Sequence, residues 1–381
     1  MDNHEQEKNY TSNIVFSGGG TGGSVTPLLA VAEELLLEEK PLNLFFVGSC
    51  DGPEKDMVAD FKGALFKFIP IHCGKWRRYF SFHNFFDLFK IIIAFFESFK
   101  ILKKTKADLV VTAGSFVSVP LVFAAFIKKI PVLVHQQDIR AGLANKLMAP
   151  FARVITISFE KSFADYGHRA VWTGNPLKDV SVYKNNKEET KKRYGLRNDM
   201  PLLVVIGGGT GALALNELVF ESLSGLIPFC QVIHFTGKNK GREMKEKLVN
   251  YYPFEFLSQD EVLSILAAAD LVVSRCGLGV LTELAALAKP AILIPMPDSH
   301  QEENAAVFED NKAALVLNQK EINPVSFTKQ IKELLLDEDK RLSLANNISR
   351  IMKTRAALNI SALIWEIVCG RRGGNIKEYE K

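Results

Sequence analysis

The chain has 381 residues, a length that favours two domains, and its 47% hydrophobic and 24% charged residues are typical of a globular protein. A formal net charge of +4 is too small to indicate nucleic-acid binding by itself, and the five scattered cysteines argue against a disulfide framework or a zinc site and favour a reducing compartment. Residues 1–8 are polar and lead directly into the first predicted strand, so we expect no secretory signal.

The first predicted elements flank a dense cluster of glycines. Residues 14–16 (IVF) predict a short buried strand, residues 27–35 predict a helix with proline in its first turn, and SGGGTGGS (residues 17–24) stands between them. Glycine weakens a fold unless a positive φ or a close backbone approach requires it, and the N–H groups at a helix start attract anions. The cluster therefore predicts a loop for an anionic or strongly polar ligand, with a plain connecting turn as the alternative.

A basic and aromatic segment follows at residues 72–104, HCGKWRRYFSFHNFFDLFKIIIAFFESFKILKK. Its apolar core at residues 91–96 is too short to span a bilayer. Basic residues interleaved with phenylalanine and tryptophan favour an amphipathic helix that lies on an anionic lipid surface. The alternative is a core helix with an ordinary charged face.

A second glycine cluster stands at residues 207–211 after LLVVI. Short predicted strands alternate with helical stretches on both sides of it: NLFFVGS, ADLVVTAG, PVLVHQQ and RVITIS before, and CQVIHFTG, ADLVVSRCG and PAILIPM after. This alternation predicts an α/β fold with two doubly wound parallel sheets, each opened by its own glycine loop. Ligands then bind at the carboxyl ends of the strands. We place the first domain at residues 1–175, the second at residues 176–354, and a C-terminal helix and tail, able to pack back on the first domain, at residues 355–381.

The glycine loops leave a second interpretation open. Gly18-x-Gly20-x-x-Gly23 fits the dinucleotide fingerprint, and residues 207–212 fit its variant, so a dinucleotide-dependent oxidoreductase must be considered. That fingerprint also needs an acidic residue at the end of the second strand. The only acidic residue near that position in the first half is Asp51, which lies beyond the predicted strand, in a turn. Neither loop carries Gly-Lys-Ser/Thr, which disfavours a P-loop nucleoside triphosphatase.

The stretch from residue 274 to residue 304 is the most informative. Glu283, placed near the start of a helix, can accept two hydrogen bonds from the cis-diol of a ribose, or it is simply a favourable first-turn charge. His300 and Gln301, in a polar loop that opens the next helix, can orient a sugar hydroxyl, or they are simply solvated.

Together these stretches resemble the MurG family, glycosyltransferases of the GT-B fold that add N-acetylglucosamine to the lipid-linked muramyl-peptide precursor of peptidoglycan. Six stretches carry the resemblance in the family's order: GGGTGGSVTPLLAVAEEL, AGSFVSVP, HQQDIRAGLANK, TGNPLK, GGGTGALALNE and SRCGLGVLTELAALAKPAILIP with HQEENA. The resemblance implies an inverting transferase that uses UDP-N-acetylglucosamine, with no cofactor and no metal.

The resemblance also implies the site residues. On the donor side, Glu283 holds the ribose, backbone near Leu257 meets the uracil, and His300 and Gln301 contact the sugar. The residues that meet or flank the donor diphosphate are Lys178, Gly209, Thr210 and Gly211. The residues that face the lipid diphosphate acceptor are Gly20, Thr21, Gly22, Gly23, Ser24, Ser115, Phe116 and Ser118.

Three positions depart from the family pattern. Ser24 stands where the family usually has histidine, Lys178 where it has arginine, and Gly209-Thr210 where it has Ser-Gln. A serine cannot act as a general base unaided, and lysine lacks the planar fork that arginine offers a phosphate. A catalytically weakened nucleotide-sugar-binding protein of the same fold is therefore a third hypothesis.

Transfer needs a base for the attacking hydroxyl and positive potential for the departing diphosphate. Our first choice of base is Asp138 and our second is His135, because VLVHQQD places both at the carboxyl end of a strand. Alternatively, Asp138 caps the following helix, and His135 is a strand-end residue that is hydrogen-bonded to the backbone. For the diphosphate, the helix after the second glycine loop and Lys178 supply the positive potential.

The preferred hypothesis is thus a peripheral N-acetylglucosaminyltransferase of peptidoglycan synthesis, on the cytoplasmic face of the cell membrane. Its expected partners are UDP-N-acetylglucosamine, an undecaprenyl-diphosphate-linked muramyl peptide and an anionic membrane surface, with no nucleic acid. A 2-epimerase of the same fold would share the nucleotide-sugar site but would have no use for the basic aromatic segment.

Overall fold

The computed structural model describes residues 11–61, 65–72, 83–208, 211–242 and 248–370, with the backbone alone at residues 83–90. The chain divides into two compact units, one of residues 1–178 and 353–381 and the other of residues 179–352. Gly209, Thr210 and the basic aromatic residues 75–80 lie outside the described residues, so their predicted roles stay predictions.

The first unit is built on a parallel sheet with strand order β3-β2-β1-β4-β5-β6-β7. The strands are β1 (Ser12–Ser17), β2 (Leu42–Ser49), β3 (Phe66–Ile71), β4 (Leu109–Thr112), β5 (Val132–Gln136), β6 (Val154–Ile157) and β7 (Ala170–Trp172). Because all pairings are parallel, the carboxyl ends of these strands share one edge of the sheet. The loops that follow the strands are therefore gathered at that edge.

Helices cover both faces of this sheet, as a buried parallel sheet requires. They are α1 (Thr26–Leu37), α2 (Glu54–Ala59), α3 (His83–Thr105), α4 (Ser118–Ile127), α5 (Leu143–Met148) and α6 (Phe163–Tyr166). Side chains of β1 alternate between two cores: Val15 packs with α3 and α4, whereas Ile14 and Phe16 pack with α1.

The second unit repeats this plan with the strand order β10-β9-β8-β11-β12-β13, again parallel. Its strands are β8 (Leu202–Ile206), β9 (Gln231–Phe235), β10 (Tyr251–Phe254), β11 (Leu271–Ser274), β12 (Ala291–Leu293) and β13 (Leu315–Val316). Its helices are α7 (Lys187–Arg193), α8 (Leu213–Leu226), α9 (Gln259–Ala268), α10 (Leu278–Leu287), α11 (His300–Asp310), α12 (Pro324–Leu336) and α13 (Glu338–Ile348). The prediction of an α/β fold with two doubly wound parallel sheets is confirmed.

The last helix, α14 (Ala356–Gly370), returns to the first unit and packs against α1. Ile360 and Ile364 complete the apolar core on that face of the first sheet. Polar contacts fix the same helix, because Ser361 Oγ donates to Glu38 Oε1 at 2.9 Å and Lys40 Nζ lies 4.6 Å from the centre of the Trp365 ring.

Candidate functional site

The first glycine loop joins β1 to α1 at the carboxyl edge of the first sheet. Gly20 has a φ of +80°, a left-handed conformation that glycine adopts without strain. The Gly19 amide donates to Ser24 Oγ at 3.1 Å, and the Gly20 amide donates to Glu54 Oε2 at 3.1 Å. The amides of residues 21–24 follow at the start of a 3₁₀ turn that leads into α1, where N–H groups favour an anion.

Ser24 is part of the loop's internal bracing. Its side chain is buried, and besides accepting from Gly19 its hydroxyl lies 3.2 Å from Gly19 O. The hydroxyl therefore stabilises the turn by hydrogen bonds within the loop, and Ser24 is not placed to exchange a proton with a ligand.

The turn after β4 contacts the same loop. Ser115 has a φ of +89°, and its Oγ donates to Gly19 O at 2.9 Å. Ser118 is fully buried and donates to Gly114 O at 3.1 Å, so it holds the turn and does not face a ligand. The ring of Phe116 lies against Gly20, where an added Cβ would come within 3.0 Å of it. The structure thus brings the predicted acceptor residues of the loop and the turn together.

His135, at the end of β5, is buried with both ring nitrogens hydrogen-bonded. Nε2 lies 3.0 Å from Asn175 Oδ1, an atom that only accepts, so Nε2 carries the proton and Nδ1 accepts from Thr156 Oγ1 at 2.9 Å. Burial lowers the pKa of His135 to about 4, against hydrogen bonds that raise it. Its lone pair is occupied and its partners are side chains, which makes His135 a link between β5, β6 and the segment after β7.

Asp138 lies two residues beyond the end of β5 and is half-buried. It does not cap the following helix, since α5 is preceded by Gly142 and no side chain caps it. Of the two predicted bases, Asp138 is the one that the structure leaves partly exposed at the carboxyl edge.

A buried amide network, which the sequence did not reveal, supports this strand end. Gln136 Oε1 accepts from Asn145 Nδ2 at 2.6 Å and from Tyr166 Oη at 3.0 Å, while Gln136 Nε2 donates to Asp138 O. Two polar residues, His135 and Gln136, at the end of an otherwise apolar strand were its only sequence signal. The network fixes the backbone from which Asp138 projects.

The second glycine loop joins β8 to α8. Gly211 has a φ of +70° and lies so close to β9 that an added Cβ would come within 2.2 Å of Thr236 O, whereas a Cβ on Gly208 would meet nothing within 4 Å. Gly211 is therefore tightly packed, whereas Gly208 has open space beside it. Lys240, also missed from the sequence, donates from Nζ to Gly211 O at 3.2 Å and places a cation beside the loop.

A histidine in β9 supports this loop much as His135 supports the first unit. His234 Nε2 lies 3.1 Å from Asn216 Oδ1, and Asn216 Nδ2 donates to Thr236 O at 2.8 Å. Burial lowers the pKa of His234 to about 4. The side chain is thus held neutral beneath the loop.

Glu283 lies on α10, whose N-terminus is unobstructed. The helix begins at Leu278, so Glu283 is in its second turn, and the interpretation as a first-turn charge is wrong. An added Cβ on Gly277 or on Gly279 would meet nothing within 4 Å, which leaves space for a ligand at the helix start. Glu283 itself is half-buried on this helix.

The other predicted donor residues lie in segments that follow strands, and His300 and Gln301 are the first two residues of α11. Gln301 Oε1 accepts from the amides of Cys276 and Met296 at 3.2 and 3.0 Å, so it joins the loops after β11 and β12, and the neighbouring His300 is exposed. Leu257 lies in the loop after β10, next to Ser258, which caps the N-terminus of α9. Lys178 is half-buried at the end of the first unit's main segment.

Two further features bear on where a ligand can bind. Within the described residues, no group of three or more His, Cys, Asp or Glu side chains is arranged to hold a metal ion. A cavity of about 430 Å³ is lined by Lys187, Asp199, Pro201 and Asp270 among others, near the amino ends of β8 and β11. Ligands of doubly wound sheets bind at the opposite, carboxyl ends.

Comparisons with known proteins cover nearly the whole chain. Residues 14–157 match the family model of the glycosyltransferase family 28 N-terminal domain, and residues 202–360 match that of the glycosyltransferase family 28 C-terminal domain. A Clostridium botulinum (strain Langeland) protein is 36% identical over 356 residues, covering 92% of this chain and 98% of the relative. It is named UDP-N-acetylglucosamine--N-acetylmuramyl-(pentapeptide) pyrophosphoryl-undecaprenol N-acetylglucosamine transferase.

A Clostridium kluyveri protein of the same name is 36% identical over 339 residues, covering 88% of this chain and 92% of the relative. Among solved structures, that of Acinetobacter baumannii MurG superimposes with a TM-score of 0.71 at 23% identity, covering 93% of this chain and 99% of that one. At this identity the structural likeness speaks for the fold alone.

Proposed function

The chain belongs to glycosyltransferase family 28 and has the GT-B fold, and from this we propose that it transfers N-acetylglucosamine from UDP-N-acetylglucosamine to the lipid-linked N-acetylmuramyl-peptide precursor of peptidoglycan. The chain is thus a hexosyltransferase of cell-wall synthesis. The observation that carries the proposal is the match to relatives of this name at 36% identity over almost their whole length.

For the donor, we assign the nucleotide to the carboxyl edge of the second sheet. Glu283 accepts hydrogen bonds from the ribose hydroxyls, and backbone near Leu257 meets the uracil. The open start of α10 and the open side of Gly208 give a diphosphate room to approach backbone N–H groups. Gln301 and His300 contact the sugar, and Lys178, Gly209, Thr210 and Gly211 flank the diphosphate.

For the acceptor, we assign the diphosphate of the lipid to the first glycine loop. The amides of Thr21, Gly22 and Gly23 are the donors, because those of Gly19 and Gly20 are used within the protein. Phe116 lies beside this loop and Ser115 fixes it. Ser24 and Ser118 contribute as buried braces of the loop and the turn.

For the chemistry, we assign the base to Asp138. The acceptor hydroxyl attacks the anomeric carbon while the bond to the UDP oxygen breaks, and the hydroxyl proton passes to the Asp138 carboxylate. The departing diphosphate is stabilised by the N–H groups at the helix starts and by the cation of Lys240 beside the second loop. His135 keeps a positioning role, because its lone pair accepts from Thr156.

The membrane contact is proposed for the first unit. Ile92, Ile93 and Phe96 of α3 are about half exposed or more, and Lys100, Lys103 and Lys104 are exposed further along the same helix. Leu143 on α5 is also exposed. Apolar side chains beside basic ones suit an anionic lipid surface, where a lipid-linked acceptor is met.

The proposed location is the cytoplasmic face of the membrane, where the enzyme binds peripherally. Of the helices in the described ranges, none has both the length and the hydropathy needed to cross a bilayer.

A transfer assay separates this proposal from its alternatives. Labelled UDP-N-acetylglucosamine is incubated with a muramyl-peptide diphosphate lipid in detergent, and donor binding is measured alongside. Transfer supports the proposal. Donor binding without turnover favours a weakened binding protein, and binding of a nicotinamide or flavin dinucleotide in place of the donor favours an oxidoreductase.

A further inference from the structure

Glu54 lies beneath the first glycine loop and has no role in the scheme above. It is the first residue of α2 and is fully buried. Its Oε1 accepts from the Ser49 amide at 2.7 Å and from Ser49 Oγ, and its Oε2 accepts from the Gly20 amide at 3.1 Å. A buried carboxylate is costly unless its oxygens are hydrogen-bonded, and here both are.

The surrounding backbone makes room for this carboxylate. An added Cβ would come within 2.2 Å of a Glu54 side-chain atom at Gly19, within 2.6 Å at Gly48 and within 2.1 Å at Gly52. The first glycine loop, the end of β2 and the turn after β2 therefore lack side chains at the points where they touch Glu54. Part of the glycine content of the first loop is explained by this buried side chain and not by a ligand.

We propose that Glu54 is the positioning residue of the acceptor loop: it ties the Gly20 amide to the end of β2 and so sets the path of residues 20–23. The proposal rests on the assignment of this loop to the acceptor diphosphate. Because Glu54 occupies the Gly20 amide with a carboxylate, an acceptor phosphate is directed to the amides of residues 21–23 and away from Gly20.

Glu54→Gln tests the proposal with little change in size. An amide has one accepting oxygen, so its NH₂ group must face either the Ser49 amide or the Gly20 amide, and one of the two hydrogen bonds that join the loop to the end of β2 is lost. We expect the KM for the lipid acceptor to rise about tenfold or more, as expected for a lost hydrogen bond to a charged group, while the affinity for UDP stays unchanged. Hydrogen exchange of residues 18–24 should become faster.

Asp108 provides the matched control in the same sheet. It is also a buried carboxylate, and its Oδ2 accepts from the Asn13 amide at 2.9 Å at the amino-terminal ends of β1 and β4. Asp108→Asn should lower stability without a selective rise in the acceptor KM. Equal effects of the two variants on the acceptor KM, or an unchanged acceptor KM in Glu54→Gln, would overturn the proposal.

Two further readouts complete the test. If Glu54→Gln does not fold, Ser49→Ala removes one of the three donors, and a smaller rise in the acceptor KM is expected; no rise contradicts the role. Wild-type transfer is measured in the same assay, so its absence counts against the proposed function. If the wild type shows no transfer, hydrogen exchange still tests the role of Glu54. Faster exchange at residues 18–24 in Glu54→Gln would support the dependence of the loop on Glu54, and unchanged exchange would refute it.

Discussion

The proposed role of Glu283 can be tested through the two ribose hydroxyls of UDP that its carboxylate is proposed to bind. We predict that Glu283→Ala weakens UDP binding about tenfold to a hundredfold, because hydrogen bonds from the ribose hydroxyls to a carboxylate are lost. Binding of 2′,3′-dideoxy-UDP, which lacks both hydroxyls, should be equally weak in the variant and the wild type. Titration calorimetry measures both.

The exposed Glu309, on α11, supplies the control for that comparison. Glu309→Ala should leave UDP affinity as it is. A Glu283→Ala variant that loses as much affinity for the dideoxy nucleotide as for UDP would contradict the ribose assignment.

The two buried histidines predict a pH dependence of stability. Burial holds the pKa of His135 and of His234 at about 4 in the folded protein, whereas an unfolded histidine has a pKa of about 6.5. The stability that these two neutral histidines contribute is fully present above about pH 6.5. The free energy of unfolding falls as the pH falls toward 4, because the unfolded state then binds protons that the folded state does not. We expect each histidine to cost about 2 kcal/mol of unfolding free energy at pH 5.

Urea unfolding at several pH values measures this effect. His234→Gln should reduce the loss of unfolding free energy between pH 7 and pH 5, whereas His300→Gln, at an exposed histidine, should not. An identical pH dependence in all three proteins would show that the buried histidines do not cause it.

At the scale of residues, the two glycine loops could be predicted from the sequence, but the side chains that stabilise them could not. Asp138 was identifiable because it follows an apolar strand. Glu54 was not, since its bond to Gly20 joins residues 34 positions apart and only the fold shows that proximity. Burial likewise decided the roles of His135, Ser24 and Ser118, and no local pattern encodes it.

At the scale of elements, the prediction that concerns α3 is membrane binding. We predict that Ile92→Ser with Phe96→Ser lowers binding to vesicles of anionic phospholipid several-fold, because two exposed apolar side chains no longer enter the interface. Sedimentation with vesicles measures the bound fraction, and detergent-solubilised transfer should be less affected.

Leu336→Ser, at an exposed leucine of α12 in the second unit, is the control for that pair. It should leave vesicle binding unchanged. If the α3 double variant binds vesicles as well as the wild type, α3 is not the membrane-facing element.

Prediction of the elements from sequence succeeded for the interior of each sheet. The strands that it missed in the described structure, β3, β7, β10 and β13, are the outermost strands of the two sheets. An edge strand pairs on one side only and needs no continuous apolar run, as the sequence FKFIPI of β3 shows, and β7 (AVW) and β13 (LV) are too short to give a pattern. Central strands such as β8 are buried throughout and were recognised directly.

At the scale of the whole molecule, two units of the same design serve two phosphate-bearing substrates in our account. In each, the first strand of the sheet is followed by a glycine loop and a helix, and each supports its site with a buried histidine paired to an asparagine. The order of these parts was visible in the sequence because glycine clusters and apolar runs are local features. The pairings were not visible, because they depend on the packing of distant strands.

Substitution of Asp138 tests both the transfer of N-acetylglucosamine and the assignment of its base. Turnover is compared between the wild type and Asp138→Asn at saturating UDP-N-acetylglucosamine and lipid acceptor. We predict wild-type turnover, a loss of about 10²-fold to 10⁴-fold in the variant, and equal affinity for UDP. A wild type that binds the donor but transfers no sugar, or a variant as active as the wild type, would contradict the account.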